Sequence, residues 1–199
     1  FFYKLRINPT LVAAFLTVFP ILYTGGIHMD GFLDTMDALG SNQDKQKKLD
    51  ILKDSNSGAF AIIGGLVYIL LYFAAMLTFN SAMKIYILAI SYMLIRAYSA
   101  LALIVFKNAR GSGLAFEFSK KSLIYTNRAV LIIFILLGSA AMIIVNVNYG
   151  LLCAISTFLV FLYYRVKSFE EFGGITGDLA GYFLQLAELV VVLVLALAP

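Results

Sequence analysis

The stretch "AVLIIFILLGSAAMIIVNVNYGLLCAISTFLVFLYY" (Ala129–Tyr164) runs for 36 residues without a single charged side chain. A helix needs about 20 apolar residues to cross a bilayer core, so this run is too long for one crossing and slightly short for two. The "NVNYG" at Asn146–Gly150 is the turn signal inside it, and it predicts two spans joined there. The same texture continues outward in both directions. Pro9–Ile27 and Ala59–Phe79 carry no charge, and Pro20 is expected to kink the first. Ala82–Phe106 carries Lys84 near one end and Arg96 inside, and Leu179–Pro199 carries Glu188. These runs are continuous, whereas the strands of a membrane barrel alternate in shorter segments. The chain is 62% hydrophobic and 13% charged, with a mean hydropathy of +0.92, against about 25% charged residues in a soluble domain. The expected fold class is therefore all-α: a polytopic integral membrane helix bundle of about six transmembrane helices, forming one domain over residues 1–199.

The first residue is Phe, and no signal-like segment precedes the first apolar run, so one or more further helices are expected on the N-terminal side. A single Cys, Cys153, excludes an intramolecular disulfide and a Cys-based metal cluster. The formal charge of +4 is modest; the lipid bilayer is an expected partner and nucleic acid is not, and a homo-oligomer is left open. Basic residues are unevenly placed. Segment 28–58 has Lys45, Lys47, Lys48 and Lys53; segment 107–128 has Lys107, Arg110, Lys120, Lys121 and Arg128; segment 165–178 has Arg165 and Lys167. Six spans put these three segments on one face and Lys4, Arg6 and Lys84 on the other. The positive-inside rule then places the three loops in the cytoplasm, and all acidic residues except Glu188 go with them.

The first of these loops opens with "GGIHMDGFLDTMD" (Gly25–Asp37). Asp30, Asp34 and Asp37 are spaced i, i+4, i+7, which puts them within about 60° on one helical face. Carboxylates so close raise one another's pKa unless a cation neutralises them. Hard oxygen ligands of this kind suit Mg²⁺ or Mn²⁺; Mg²⁺ usually takes one or two carboxylates and fills its shell with water and substrate phosphates. The plainer alternative is a solvated acidic helix start. His28 beside them reads as a phosphate contact, a ligand or an interface residue. Lys53-Asp54 before the second span, Arg110-Gly-Ser-Gly113 after the third, and Gly173-Gly-Ile-Thr-Gly-Asp178 before the last each return Gly with a charged group to the same face. Arg with carboxylate-held metal is a pairing that suits a diphosphate substrate.

Four blocks carry a family resemblance: "GGIHMDGFLDTMDALG" (Gly25–Gly40), "LDILKDSNSGAFAIIG" (Leu49–Gly64), "NARGSGLAF" (Asn108–Phe116) and "GGITGDLAGYFLQLAEL" (Gly173–Leu189). In order and spacing they resemble the cobalamin synthase family, the adenosylcobinamide-GDP ribazoletransferases. Asn56 departs from the pattern, where a basic residue or His is more usual. The resemblance implies a Mg²⁺-dependent enzyme of the cytoplasmic membrane that acts late in coenzyme B12 assembly. Its substrates would be adenosylcobinamide-GDP and α-ribazole or its 5′-phosphate, and GMP would be released. Asp30, Asp34 and Asp37 match the acidic motif as catalytic and metal-binding residues; His28, Lys53, Asp54, Arg110 and Asp178 match the substrate-binding blocks. Asp37 is the expected proton acceptor.

Two rivals are weaker. A CDP-alcohol phosphotransferase-like enzyme calls for an Asp-Gly-x-x-Ala-Arg element, and here Asp34-Thr35 stands in place of Ala-Arg. A cation transporter calls for carboxylates at mid-membrane. The one interior pair, Arg96 and Glu188, sits at equal depth, about 15 Å from the cytoplasmic face at 1.5 Å per residue. Either the two pair, locking their spans together, or each faces a watery vestibule from which Arg96 reaches a substrate phosphate.

Overall fold

A computed structural model describes residues 8–110 and 124–198, with the side chains of 124–126 left out. The described residues form eight helices: α1 (Pro9–Tyr23), α2 (Ile27–Gly40), α3 (Lys45–Ile51), α4 (Ala59–Leu77), α5 (Ala82–Val105), α6 (Ile124–Val145), α7 (Val147–Phe172) and α8 (Gly177–Leu197). The chain is all-α, and five of these helices, α4 to α8, are long and apolar enough to cross a membrane. Counting the bent pair α1–α2 as one broken span gives six.

The expected first span, Pro9–Ile27, is not one helix. Pro20 lies inside α1 without ending it. The break falls at Gly25 and Gly26, whose φ values of 65° and 79° are left-handed, and the chain turns by 90° into α2. Two successive left-handed residues cannot continue a right-handed helix, and glycine adopts them without steric cost. Pro20 sits in the last turn, where losing one N–H bond costs little. At 14 residues, α2 is too short to cross a bilayer core of about 30 Å.

The long uncharged run divides within the expected turn, but at one residue. Asn146 caps α7, its side chain accepting from the Tyr149 N–H at 3.0 Å. A Cβ on Gly150 would fall 2.3 Å from the Met142 carbonyl, so glycine is what lets α6 and α7 begin in contact. The segment expected as a loop over 165–178 is instead helical to Phe172. Charged residues do not stop a helix; Gly173 does, with φ 76°, its N–H bonded to the Phe169 carbonyl and that of Gly174 to the Ser168 carbonyl.

Helix α8 is the centre of the bundle, packed by α2, α4, α5 and α7. Its spanning window is 72% buried, against 6% for α6, which lies at the periphery between α5 and α7. Val191, Val192 and Leu195 of α8 are fully enclosed. Phe161 and Tyr164 of α7 lay their rings against Phe183, and Phe32 of α2 stacks on Tyr182. Arg96 and Glu188 do pair, with Nη1 3.0 Å from Oε1, and tie α5 to α8.

Candidate active site

Two glycines bring α2 onto α8. A Cβ on Gly31 would lie 2.7 Å from the Asp178 carbonyl oxygen, and one on Gly181 would lie 2.9 Å from that of His28. The helices therefore cross backbone to backbone, which only small residues allow. This crossing brings Asp34 within electrostatic range of Asp178, though 144 residues separate them in the chain.

A third segment is stitched to the same place. Asn108 and Ile175 form an isolated parallel bridge. The Ala109 N–H donates to the Ile175 carbonyl and the Ile175 N–H to the Lys107 carbonyl, each at 2.9 Å. Gly174 backs onto Lys107 so closely that a Cβ would sit 2.4 Å from its carbonyl oxygen. The bridge sets Arg110 beside Asp178, with Nη1 3.2 Å from Oδ2, while Nη2 donates to the Leu49 carbonyl at 3.2 Å. Lys48 reaches Glu171 at 2.5 Å, and Lys45 donates to the Phe169 carbonyl. All three polar segments thus meet at one end of the bundle.

Asp34 lies half-buried in this setting. Burial, followed by the charges of Asp30, Asp178 and Asp37, pushes its carboxyl up to about 6, with Arg110 opposing. Asp30 is exposed one turn away. Burial, and then the Arg96 guanidinium, hold the His28 imidazole below its ordinary value. Arg110 thus pairs with Asp178 and lies within electrostatic range of Asp34.

Asp37 has a different setting from the other two members of the motif. Its Oδ2 accepts from the Gly58 N–H at 2.5 Å and its Oδ1 from the Ala61 N–H at 2.8 Å. It therefore caps α4, whose own N-cap residue, Gly58, has no side chain to do so. Lys53 and Asp54 are not drawn into the cluster. Lys53 is exposed and 4.0 Å from Asp50, and Asp54 folds onto the backbone and side chain of Asn56. Asp54 and Asn56 share an open depression with Asp37 and Gly58 at the start of α4. Residues 111–113 of the Arg-Gly-Ser-Gly motif lie outside the described residues.

Sequence reasoning missed the Leu49 carbonyl and the Ile175 backbone, because main-chain groups leave no residue-type signal. It also missed Tyr72 and Tyr92, whose hydroxyls bond to each other. Their signal was available, since a Tyr inside an apolar span needs a partner for its hydroxyl.

No three His, Cys, Asp or Glu among the described residues stand at metal-ligand geometry. The donor set nonetheless fits a hard divalent cation. It is all-oxygen, carries excess negative charge and retains a carboxyl held up by burial and by its neighbours. Mg²⁺ usually takes only one or two protein carboxylates, with substrate oxygens completing its shell.

The sequence profile of cobalamin-5-phosphate synthase matches residues 1–196. The chain belongs to the cobalamin-5-phosphate synthase family. Among its relatives, the adenosylcobinamide-GDP ribazoletransferase of Lachnoclostridium phytofermentans is 41% identical over 196 residues, covering 98% of this chain and 74% of the relative. That of Clostridium perfringens is 35% identical over 199 residues, covering 98% and 77%. That of Stutzerimonas stutzeri is 34% identical over 196 residues, covering 96% and 76%. No solved structure matches the chain. Every residue of the cluster falls within the span that defines the family.

Proposed function

We propose that this membrane enzyme is an adenosylcobinamide-GDP ribazoletransferase, joining adenosylcobinamide-GDP to α-ribazole or its 5′-phosphate and releasing GMP. The observation that carries the reading is the convergence of Asp30, Asp34, Asp178 and Arg110 from three segments of a chain matched to the family over residues 1–196. The ribose hydroxyl of the acceptor attacks the cobinamide-side phosphorus of the diphosphate. The new O–P bond forms as the bond to the GMP oxygen breaks, and the hydroxyl proton goes to a carboxylate.

Asp34 and Asp178, facing each other where α2 crosses α8, would hold Mg²⁺ with Asp30 close by. When bound, the ion supplies charge neutralisation for the diphosphate and the departing GMP. Arg110 is placed to bind a non-bridging phosphate oxygen by exchanging its contact with Asp178 for one with substrate. Asp37 was the expected proton acceptor, but both its oxygens already hold backbone N–H groups. We assign that task to Asp30, the exposed carboxylate of the cluster. The three polar segments face the cytoplasm, in keeping with the placement of Lys and Arg.

The test is GMP release by the purified protein with adenosylcobinamide-GDP, α-ribazole 5′-phosphate and Mg²⁺. GMP and the joined corrinoid are expected in equal amounts. Turnover that survives EDTA would sink the metal assignment, and the absence of GMP would sink the reaction.

A further inference from the structure

Tyr92, Arg96 and Ala100 recur every fourth residue on the face of α5 that meets α4 through the Tyr72 and Tyr92 hydroxyls. Beyond that contact neither α2 nor α4 packs substantially against α5, although all three rest on α8. His28 of α2 lies within electrostatic range of the Arg96 guanidinium.

Arg96 stands one turn above the tyrosine pair. Its Nη1 donates to the Tyr92 carbonyl at 3.1 Å and to Glu188 Oε1 at 3.0 Å. The guanidinium also lies over the Tyr92 ring, 5.5 Å from its centre. Glu188 is 1% exposed beneath it, whereas the Arg96 side chain is 40% exposed. A guanidinium has five N–H donors in a planar fork, and only Nη1 has partners among the described residues. A cation needed solely to neutralise Glu188 would be best buried with it. This one is clamped along one edge and open along the other, which is how an arginine is oriented to take a planar or tetrahedral oxyanion.

We propose that Arg96, oriented by Glu188, binds a phosphate group of one of the two substrates through the open edge of its guanidinium, with Glu188 as a positioning residue. The inference rests on the ribazole-transfer reading. Asp178 and Glu188 are ten residues apart on α8, about 15 Å along its axis. The aspartate end and the arginine end therefore serve different phosphate groups. With the diphosphate at the aspartates, the group left for Arg96 is the acceptor's 5′-phosphate monoester.

The experiment measures steady-state turnover with α-ribazole and with α-ribazole 5′-phosphate, for the unaltered protein, Arg96→Gln, Arg96→Lys and Glu188→Gln, alongside thermal unfolding in detergent. Arg96→Gln should raise KM for the phosphorylated acceptor by about tenfold to a hundredfold, the scale of a charge-assisted contact. KM for α-ribazole should hold within about twofold by the same reasoning, since it lacks the phosphate. Glu188→Gln should raise the same KM by less. A rise in KM for adenosylcobinamide-GDP with either acceptor would instead assign the bound phosphate to the donor. If Arg96→Gln fails to fold, Arg96→Lys keeps the charge opposite Glu188 and carries the same comparison. Unchanged KM values for every substrate, with or without loss of thermal stability, overturn the proposal and leave a purely structural ion pair. Absence of turnover by the unaltered protein overturns the reaction reading, and this inference with it.

Discussion

Asp34 shows what burial beside three other carboxylates does to a carboxyl group. Its folded-state carboxyl is raised from 3.8 to about 6, through burial first and then Asp30, Asp178 and Asp37. The folded protein therefore holds this proton more tightly than the unfolded chain. Its contribution to stability is complete below the unfolded value and is lost as pH rises through about 6. Asp34→Asn stays neutral throughout. In EDTA it should melt at a higher temperature than the unaltered protein at pH 8 and at the same temperature at pH 4, while losing turnover by at least about a hundredfold. Adding Mg²⁺ should raise the melting temperature of the unaltered protein and leave that of Asp34→Asn nearly unmoved. A melting difference equal at both pH values would show that the carboxyl is not raised in the folded protein. The spacing in "HMDGFLDTMD" (His28–Asp37) made three of these carboxylates legible. It did not distinguish Asp37, because the groups that engage it, the N–H of Gly58 and of Ala61, lie 21 and 24 residues further along the chain.

At the scale of elements, the start of α4 depends on that remote carboxylate. Gly58 occupies the N-cap position with extended backbone, φ −88° and ψ −177°, and offers no side chain. Asp37→Ala should destabilise the protein by about 1 kcal/mol, the usual cost of losing an N-cap. Gly58→Ser alone should also destabilise, since its Cβ would come 2.7 Å from Asp37 Oδ1. The double variant removes the clash and supplies a local hydroxyl cap, so it should recover most of the lost melting temperature. Recovery in EDTA would mark Asp37 as a capping group. No recovery would return it to the metal-binding set. The helix crossing is as demanding. Gly31→Ala places a methyl 2.7 Å from a main-chain oxygen that cannot move aside, so α2 should lift from α8 and turnover should fall with the fold intact by circular dichroism. Hydropathy revealed α4 to α8 because the absence of charge over long runs is a strong signal. It merged α1 with the turn beyond it because a left-handed backbone at Gly25 and Gly26 has no hydropathic mark. It also cut α7 short, since Arg165, Lys167, Glu170 and Glu171 are polar yet compatible with a helix.

For the whole molecule, the five helices α4 to α8 are each long and apolar enough to cross a membrane, and successive crossings alternate in direction, so the parity of the bundle does not depend on whether α1 and α2 together make a span. The starts of α4 and α8 and the end of α5 share one face, tied by the Asn108–Ile175 bridge and by Arg110 to Asp178 and Leu49. The α4–α5 turn and Asn146 lie at the other face, where Lys84 sits over the Tyr149 ring. The positive-inside rule predicts that the first face is the cytoplasmic one. Single cysteines read this directly, and the structure selects the positions. Gly174 is unsuitable because a Cβ there would meet Lys107, and Ser81 because its hydroxyl caps α5. Gln43, Gly177 and Asn80 are exposed, and a Cβ at Gly177 meets nothing within 4 Å. The native Cys153 is fully buried and should stay silent. A membrane-impermeant maleimide should label Gln43→Cys and Gly177→Cys only in inside-out vesicles, and Asn80→Cys only in right-side-out vesicles. Labelling of Gln43→Cys and Gly177→Cys from opposite sides would break the alternation of α4 to α8. Labelling of all three in the reversed sense would keep the bundle and put the carboxylate cluster on the outer face, out of reach of adenosylcobinamide-GDP in the cytoplasm.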